Sequence, residues 1–466
     1  MAKIPLTTPD VRADVVAAIG ADAVVTDDDI AVEYGIDESL HAEPIRPLLV
    51  ARPSDTEQVT AVVRMAAEHG VPVTARGAGT GLSGASIPLP GGIVISFERM
   101  AALLEIDDAS HVAVVQPGLT LAELDTATAR HGLVFPVFPG TDAATLGGNI
   151  ATNAGGMRAV KYGVTRHQVL GIEAVTGTGD VIRSGGRFVK NTTGYDLTQL
   201  IVGSEGTLAL VTEATLRLHP RLTQRATVLA PFTSVDAVAA AIPDVVASGV
   251  QPMILEYIDR STMKGLLRQN DLALGVPDQV VAVTEAYLVV VLEARTEQRL
   301  EEDVADVAGQ LSRAGAEDVY VLLAGQGAEL LAARENAFWL VKAAGADDLI
   351  DMVVPRNRIP EYLRQVQRLA DEHGSRIYGC GHAGDGNIHF SVYEPDEGRR
   401  TSVLQAIFAM GMAMGGTISG EHGIGRAKKR YYQELEDPTK IALQRRIKAA
   451  FDPAGILNPG CIFDPA

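Results

Sequence analysis

Residues 76–84 read Arg76-Gly77-Ala78-Gly79-Thr80-Gly81-Leu82-Ser83-Gly84, with four glycines in nine positions. The last three glycines match G-x-G-x-x-G, a pattern that signals a dinucleotide-binding turn only where a helix follows. Prolines and glycines between positions 88 and 92 exclude that helix, and a strand-like run comes next. Successive glycines can still direct backbone N–H groups at a pyrophosphate, with Arg76 or Thr80 adding hydrogen bonds. From this loop alone, a pyrophosphate nest and an ordinary tight surface turn are both open.

Two further stretches are also rich in glycine and other small residues. Residues 139–156 read PGTDAATLGGNIATNAGG, and residues 203–214 read GSEGTLALVTEA. Small residues suit a backbone that lies against a large flat ligand, because longer side chains would block the approach. A glycine-rich crossover inside a sheet domain is the alternative for residues 76–84 or 139–156 taken alone, and it is less plausible for both together. Residues 203–214 complete the pattern.

Composition limits the class of protein. A chain of 466 residues should hold two or three domains, and 47% hydrophobic with 21% charged residues excludes global disorder. The net charge of −18 repels phosphate backbones and anionic lipid, so we expect no nucleic-acid partner. Two cysteines, Cys380 and Cys461, cannot form a disulfide framework. We expect a cytoplasmic protein without a signal peptide, and peripheral membrane association stays open.

Local patterns indicate a mixture of helices and short strands. Apolar residues at helical spacing predict a helix over Thr56–His69, which Asp55 or Ser54 can cap. Thr120 and Glu123 have the spacing of a capping box and predict a second helix. Strand-like runs are predicted at 71–74, 93–97, 103–106 and 112–115. Beyond about residue 223 glycine thins out and longer helical patterns alternate with strands, as in a second α+β domain.

The three glycine-rich stretches, in this order and spacing, resemble the flavin domain of the vanillyl-alcohol-oxidase (PCMH) type. From about Pro44 to Phe463 the chain is similar to the branch with the glycolate oxidase subunit, D-lactate dehydrogenase and D-2-hydroxyglutarate dehydrogenase. The resemblance implies an α+β protein with a two-subdomain FAD-binding domain (1–220), an α+β substrate or cap domain (221–415) and a C-terminal segment (416–466). That last segment should pack back on the FAD domain.

The resemblance also implies how FAD is held. The pyrophosphate would lie on residues 76–84, the isoalloxazine near residues 139–155, and the C-terminal Asn458 would approach the flavin. The first loop contains no histidine, so the cofactor should be non-covalent. The implied flavin-binding residues are Arg76, Gly77, Ala78, Gly79, Thr80, Gly81, Pro139, Gly140, Thr141, Gly147, Gly148, Asn153, Ala154, Gly155, Glu205, Val211 and Asn458.

A predicted β-hairpin carries two histidines. Residues 376–393 read as strand, turn and strand, and the turn brings His382 and His389 across from each other. With Glu421 they could bind zinc or manganese, which take imidazole and carboxylate ligands. From the residues alone, polar side chains at a loop remain an equal alternative. The resemblance implies a divalent metal on His382, His389 and Glu421, and it implies His422 as the catalytic base.

Arg334 is the candidate clamp for a substrate carboxylate. From the residues alone a solvated helix arginine is favoured, and only the resemblance implies the clamp. The 2-hydroxyglutarate-type relatives carry Thr four residues after this arginine and Asn two residues after the second histidine. Here those positions hold Phe338 and Ser391. An apolar Phe338 offers a distal carboxylate no hydrogen bond, which favours a small or apolar side chain on the substrate.

The predicted function is FAD- and metal-dependent oxidation of a D-2-hydroxy acid of the D-lactate or glycolate class. One alternative is D-2-hydroxyglutarate as substrate, and another is a glycolate oxidase subunit active only in a complex. A metal hydrolase with structural glycine loops is the alternative of a different class. The electron acceptor could be a quinone, an electron-transfer flavoprotein, an iron–sulfur subunit or oxygen. Whether the protein forms a homodimer also stays open.

Overall fold

A computed structural model describes residues 8–465 of the chain. The first 220 residues form two main sheets, of four strands in the order β1-β2-β4-β3 and five strands in the order β5-β6-β10-β8-β9, with a short pair β7-β11. The strands are β1 Val24–Thr26, β2 Leu49–Ala51, β3 Val73–Arg76, β4 Ile93–Ser96, β5 Leu103–Asp107, β6 Val112–Val115, β7 Leu133–Val134, β8 Val169–Thr176, β9 Val181–Gly185, β10 Ala209–Arg217 and β11 His219–Pro220. The helices are α1 Thr8–Ile19, α2 Thr56–His69, α3 Leu121–Ala129, α4 Leu146–Thr152, α5 Ala159–Tyr162, α6 Thr165–Gln168 and α7 Leu197–Ile201.

The predicted helix α2 is confirmed at both ends. Asp55 accepts the backbone N–H of Gln58 at 2.9 Å, and Gly70 ends the helix with φ +65°. Its buried face packs into the core of the four-stranded sheet through Val59, Val62, Val63 and Ala66. The capping box of α3 is also present, because Thr120 and Glu123 each accept the other's backbone N–H.

The glycine loop of residues 76–84 connects β3 to β4, which pair in parallel, and strand β4 follows without an intervening helix. This confirms that the G-x-G-x-x-G pattern does not open a dinucleotide-binding helix here. The second glycine stretch, in contrast, contains the short helix α4, which glycine density did not predict. Thr145 caps α4 by accepting the backbone N–H of Gly148 at 3.3 Å.

Residues 224–393 build a seven-stranded antiparallel sheet in the order β15-β12-β14-β13-β17-β18-β16. Its strands are β12 Gln224–Phe232, β13 Ile254–Asp259, β14 Ala286–Ala294, β15 Tyr320–Leu322, β16 Asp348–Val353, β17 Arg376–His382 and β18 Asn387–Tyr393. The helices that accompany it are α8 Val235–Ala247, α9 Arg260–Gln269, α10 Asp278–Val283, α11 Glu297–Arg313, α12 Ala324–Glu335, α13 Ala337–Ala343, α14 Ile359–His373 and α15 Glu397–Ala413.

Helices cover both faces of this sheet. Leu288 and Val290 of β14 face the core formed with α8, α11, α14 and α15, whereas Tyr287 and Val289 face α9, α12 and α13. The alternation follows the two-residue period of a strand. Cys380 belongs to the second face, and that face carries the candidate site described below.

The C-terminal segment adds helices α16 Lys429–Leu435 and α17 Pro438–Phe451 and then runs back along β3. Leu457 forms a parallel bridge with Val73, and Ile456 and Leu457 are buried in the core of the four-stranded sheet. None of the helices within residues 8–465 is both long enough and apolar enough to cross a membrane.

Candidate active site

The hairpin of β17 and β18 places two histidines on one face of the seven-stranded sheet. Cys380 lies opposite His389, and His382 lies opposite Asn387. Residues 380 and 382 share a face, and directly opposed residues also share a face, so His382 and His389 point the same way. Their ring centroids are 4.9 Å apart. The predicted hairpin is confirmed.

The carboxylate of Glu421 lies between the two imidazoles. Its Oε1 is 3.0 Å from His382 Nε2 and 3.3 Å from His389 Nε2. The candidate ligand atoms of all three residues lie within 4.8 Å of one another. Two imidazole nitrogens and a carboxylate oxygen converging on one point are a donor set that zinc and manganese accept. The three residues therefore fit a divalent metal with a coordination position left for another molecule.

A buried carboxylate stands behind these residues. Glu256 on β13 is fully buried, and its Oε1 accepts the Nδ1–H of His382 at 2.5 Å. That contact leaves Nε2 available to a cation, as is usual for a metal-binding histidine. Burial disfavours a charged imidazole, but the carboxylates of Glu256 and Glu421 outweigh it and raise the pKa of His382 well above its ordinary value. The surroundings of His382 therefore favour positive charge.

Arg334, at the end of α12, reaches the same carboxylate. Its Nη2 is 2.9 Å from Glu256 Oε2, and its side chain is only 10% exposed. Its Nε donates no hydrogen bond to any group within residues 8–465. The guanidinium is thus held by charge through Nη2, with the N–H of Nε still free for an anion.

Residues 419–425 form a turn that two buried carboxylates hold, one from each large part of the chain. Asp351 Oδ2 accepts the hydroxyl of Ser419 and the backbone N–H groups of residues 420–422 at 2.7 to 3.1 Å. Glu205 accepts the backbone N–H groups of residues 424 and 425 at 2.8 Å. These bonds fix the backbone that presents Glu421 and His422.

The imidazole of His422 stacks on His389, with centroids 5.1 Å apart and planes 13° from parallel. Its Nδ1 lies 3.9 Å from Asp351 Oδ2 and has no hydrogen-bond partner among the described residues. Burial lowers the pKa of His422 to about 4, against the opposing effect of the Asp351 carboxylate. The ring is therefore neutral at pH 7 and able to accept a proton.

The three glycine-rich stretches meet along one crevice with about 1310 Å³ of empty space, which we name the glycine-lined crevice. Glu421 and His422 line it as well, so the crevice adjoins the histidines. Most of the predicted flavin-binding residues line it: Arg76, Gly77, Ala78, Gly79, Thr80, Gly81, Pro139, Thr141, Gly147, Gly148, Ala154, Glu205 and Val211.

Four predicted flavin-binding residues lie elsewhere around the crevice. Gly140 and Asn153 line neighbouring cavities, and Gly155 lies against the metal-ligand candidate Glu421, whose Oε2 would be 2.8 Å from an added Cβ. Asn458 donates from Nδ2 to two backbone oxygens at 2.8 Å, while its buried Oδ1 has no partner within residues 8–465. The role of all seventeen predicted residues toward a cofactor stays a prediction.

Backbone rather than side chains forms the walls of this crevice. A Cβ on Gly77 would lie 2.1 Å from Thr145 Oγ1, and one on Gly79, where φ is +76°, would lie 2.0 Å from Arg76 Nη2. Arg76 itself is buried and donates to the carbonyl of Ile36 at 2.7 Å. A crevice lined by so many glycines leaves room for a large flat group with phosphates.

A second space of about 790 Å³, the helix-side cavity, opens between the sheet and helices α12 and α13. It is lined by Arg334 and by all four residues of the histidine-glutamate group, His382, His389, Glu421 and His422. Glu421 and His422 line both spaces, so a molecule in the helix-side cavity and a group in the glycine-lined crevice would meet at these two residues.

Comparisons with known proteins agree with this architecture. Residues 47–185 match the family model of an FAD binding domain, and residues 221–462 match that of the FAD linked oxidases, C-terminal domain. The structure superposes on p-cresol methylhydroxylase with a TM-score of 0.80 at 17% identity, covering 99% of this chain and 98% of that one. The predicted fold class is confirmed.

Sequence relatives extend the comparison. An uncharacterised FAD-linked oxidoreductase of Mycobacterium tuberculosis is 54% identical over 445 residues, covering 96% of this chain and 97% of that protein. A D-lactate dehydrogenase of Archaeoglobus fulgidus is 40% identical over 416 residues, covering 88% and 90%. The chain belongs to the FAD-linked oxidases, and it is an FAD-dependent oxidoreductase. The resemblance stated from the glycine motifs is confirmed.

Sequence reasoning missed the two carboxylates behind the candidate site. Glu256 and Asp351 each stand alone in an apolar strand, in Ile254-Leu255-Glu256-Tyr257-Ile258 and Leu349-Ile350-Asp351-Met352-Val353. A single acid in such a strand costs free energy unless it is paired, which is a readable signal of a functional interior. Thr145, the cap of α4 beside Gly77, was also missed.

Proposed function

We propose that the protein oxidises a D-2-hydroxy acid of the D-lactate or glycolate class to the 2-oxo acid. His422 would take the hydroxyl proton, and a bound FAD would supply the acceptor for the hydride from C2. The observation that carries this proposal is the position of His422 and Glu421 on the boundary between the glycine-lined crevice and the helix-side cavity. The similarity to an archaeal D-lactate dehydrogenase supports the substrate class.

In this proposal His382, His389 and Glu421 hold a zinc or manganese ion, and Glu256 orients His382. Bound there, the metal would supply Lewis acidity to a substrate hydroxyl. The support is the convergence of the three ligand atoms and the carboxylate behind His382. The glycine-lined crevice would hold FAD non-covalently, and the flavin would supply the hydride acceptor.

His422 is the proposed base. A proton on Nδ1 faces the carboxylate of Asp351, which leaves Nε2 as the acceptor. Because the ring is neutral at pH 7, no prior deprotonation is needed. Stacking on His389 and the fixed backbone of residue 422 limit how far the ring can turn.

Arg334 is the proposed carboxylate clamp. Its guanidinium lines the helix-side cavity, and its Nε has no hydrogen-bond partner in the described part of the chain. A substrate carboxylate would satisfy this donor, and Glu256 would hold the guanidinium in place from behind through Nη2. We also propose that the chain divides into an FAD-binding domain (1–220), a substrate domain (221–415) and a C-terminal segment (416–466). The reduced flavin would pass its electrons to an acceptor whose kind is not assigned.

The test is anaerobic mixing of FAD- and metal-loaded protein with D-lactate, glycolate, L-lactate and D-2-hydroxyglutarate, followed by flavin absorbance. We expect bleaching by D-lactate or glycolate and little by L-lactate. Bleaching by D-2-hydroxyglutarate above all others would contradict the substrate class. A protein that stays colourless after reconstitution with FAD would contradict the assignment of the glycine-lined crevice to the flavin.

A further inference from the structure

The helix-side cavity extends well beyond the residues proposed for the reaction. Besides Arg334 and the histidine-glutamate group, it is lined by Phe338, Val341, Leu349, Tyr378 and Ser391. D-lactate has only a methyl group at C2, which cannot contact all of these side chains. The side chains that line the rest of the cavity therefore indicate which substrate side chain would fit there.

Strand register defines the floor of the extra space. Cys380, His389 and Asp351 lie side by side across β17, β18 and β16. Two residues further along the same face, about 6.5 Å from that row, lies a second row of Tyr378, Ser391 and Leu349. The phenol of Tyr378, the hydroxymethyl group of Ser391 and the aliphatic chain of Leu349 offer two hydroxyl groups but no charge. A substrate chain that leaves the metal-ligand candidates in this direction passes over the second row.

Apolar side chains form the roof and walls. Phe338 and Val341 project from α13, and Leu82, Phe138 and Met157 come from the glycine-rich part of the chain. The Phe338 ring is held edge to face against Trp339 at 5.1 Å, and the ammonium of Lys342 lies 5.4 Å from its centroid. The roof is therefore fixed in place as well as apolar.

Charges around the cavity disfavour a second carboxylate on the substrate. Among the described residues that line it, Arg334 is the one lysine or arginine, and the proposed function assigns it to the C1 carboxylate. The nearby Lys342 is paired with Glu38 at 2.9 Å. Glu335 lines the same cavity and would repel a distal carboxylate.

Resting on the proposed function, we propose that the preferred substrate is a D-2-hydroxy acid with a bulky apolar side chain, branched aliphatic or aromatic. Its side chain lies between Phe338 and Val341 above and Tyr378, Ser391 and Leu349 below. Burying each additional methylene in this space favours the larger acid, and one methylene in an apolar pocket is worth roughly 10-fold or more in kcat/KM.

The experiment compares D-lactate, D-2-hydroxy-4-methylpentanoate, D-3-phenyllactate and D-2-hydroxyglutarate as reductants of the FAD-loaded protein. We expect kcat/KM for one of the two bulky acids to exceed that for D-lactate by about 10-fold or more, with D-2-hydroxyglutarate lowest. D-lactate or D-2-hydroxyglutarate as the best substrate would overturn the proposal.

Two variants change the size of the cavity in opposite directions. Val341→Trp should lower the ratio of kcat/KM for the bulky acid to that for D-lactate by about 10-fold, because the indole fills the space of the side chain. Phe338→Ala should lower the same ratio by removing apolar contact. Leu323→Trp, at a position 72% exposed, is the matched control and should leave the ratio unchanged. Equal ratios in all four proteins would contradict the assignment of this cavity.

Binding of the 2-oxo acids separates this proposal from the proposed function. Pyruvate and 4-methyl-2-oxopentanoate are titrated against the oxidised protein by the change in flavin absorbance. Tighter binding of the branched acid, lost in Val341→Trp, supports the cavity even if no hydroxy acid bleaches the flavin, an outcome that would defeat the proposed function alone. Equal or weaker binding of the branched acid overturns the cavity proposal whether or not D-lactate is oxidised.

Discussion

The glycine-lined crevice and the histidine-glutamate group meet at one boundary but are built in opposite ways. In the crevice the backbone forms the surface, and an added Cβ at Gly77 or Gly79 would collide with a neighbour. At the histidines the surface is made of charged and polar side-chain atoms, backed by the buried carboxylates Glu256 and Asp351. Ligand binding in the crevice should therefore be weakened by substitutions that add atoms. The function of the histidine-glutamate group should be lost when substitutions remove atoms.

The largest effect is expected from the metal-ligand candidates. His382→Ala should reduce substrate-driven flavin bleaching by more than the loss of a general base does, because it removes a ligand and leaves Glu256 without its partner. FAD content, measured from absorbance, should stay close to the parental value. His373→Ala, at the exposed end of α14, is the control. Full activity of metal-stripped protein would contradict the metal proposal.

His422→Ala should slow anaerobic flavin reduction by roughly 10²- to 10⁴-fold, the usual contribution of a positioned base. Metal content and the flavin spectrum should not change, since the ring is neither a proposed ligand nor part of the crevice backbone. Stopped-flow absorbance gives the rate. Bleaching at the parental rate would show that another group takes the proton.

Glu256→Gln tests the carboxylate behind His382. The amide keeps the shape but loses the charge, so metal affinity should fall by about 10- to 100-fold. Excess metal should restore much of the activity, which distinguishes this variant from His382→Ala. Glu285→Gln, at a half-exposed position in the same domain, should bind metal like the parent. Unchanged metal affinity in Glu256→Gln would show that Glu256 positions Arg334 and does not support the metal-ligand candidates.

The smallest effect concerns the crevice. Gly77→Ala places a methyl group 2.1 Å from Thr145 Oγ1 and should weaken FAD binding by about 10-fold, as for an overpacked site. Gly265→Ala is matched to it, because its Cβ meets nothing within 4 Å in a helix and should leave FAD binding intact. Dissociation of FAD, followed by fluorescence, separates the two variants. Equal FAD affinity would place the cofactor away from Gly77.

Local signals in the sequence predicted much of this arrangement. The helix over residues 56–69 and the hairpin with His382 and His389 follow from patterns that span fewer than twenty residues. Long-range pairing was not readable in that way. Glu256 meets His382 across 126 positions of the chain, and only the register of β13 against β17 brings them together.

The short helix α4 shows a different limit. Glycine-rich sequence has a low helix propensity, so residues 146–152 did not suggest a helix. The cap at Thr145 and the burial of Leu146 and Ile150 stabilise the helix despite this low propensity. Tertiary packing decided the local conformation there, and it also placed the missed residue Thr145 beside the crevice.

The turn at residues 419–425 has a consequence for biosynthesis. Asp351 is synthesised seventy positions before Glu421. Until the turn of residues 419–425 forms, Asp351 Oδ2 lacks the donors that it has in the finished protein. Glu205 precedes its backbone donors at residues 424 and 425 by 219 and 220 positions. A nascent chain released before residue 419 would leave Asp351 Oδ2 and the Glu205 carboxylate without these donors, so we expect the incomplete product to be less stable and more readily degraded.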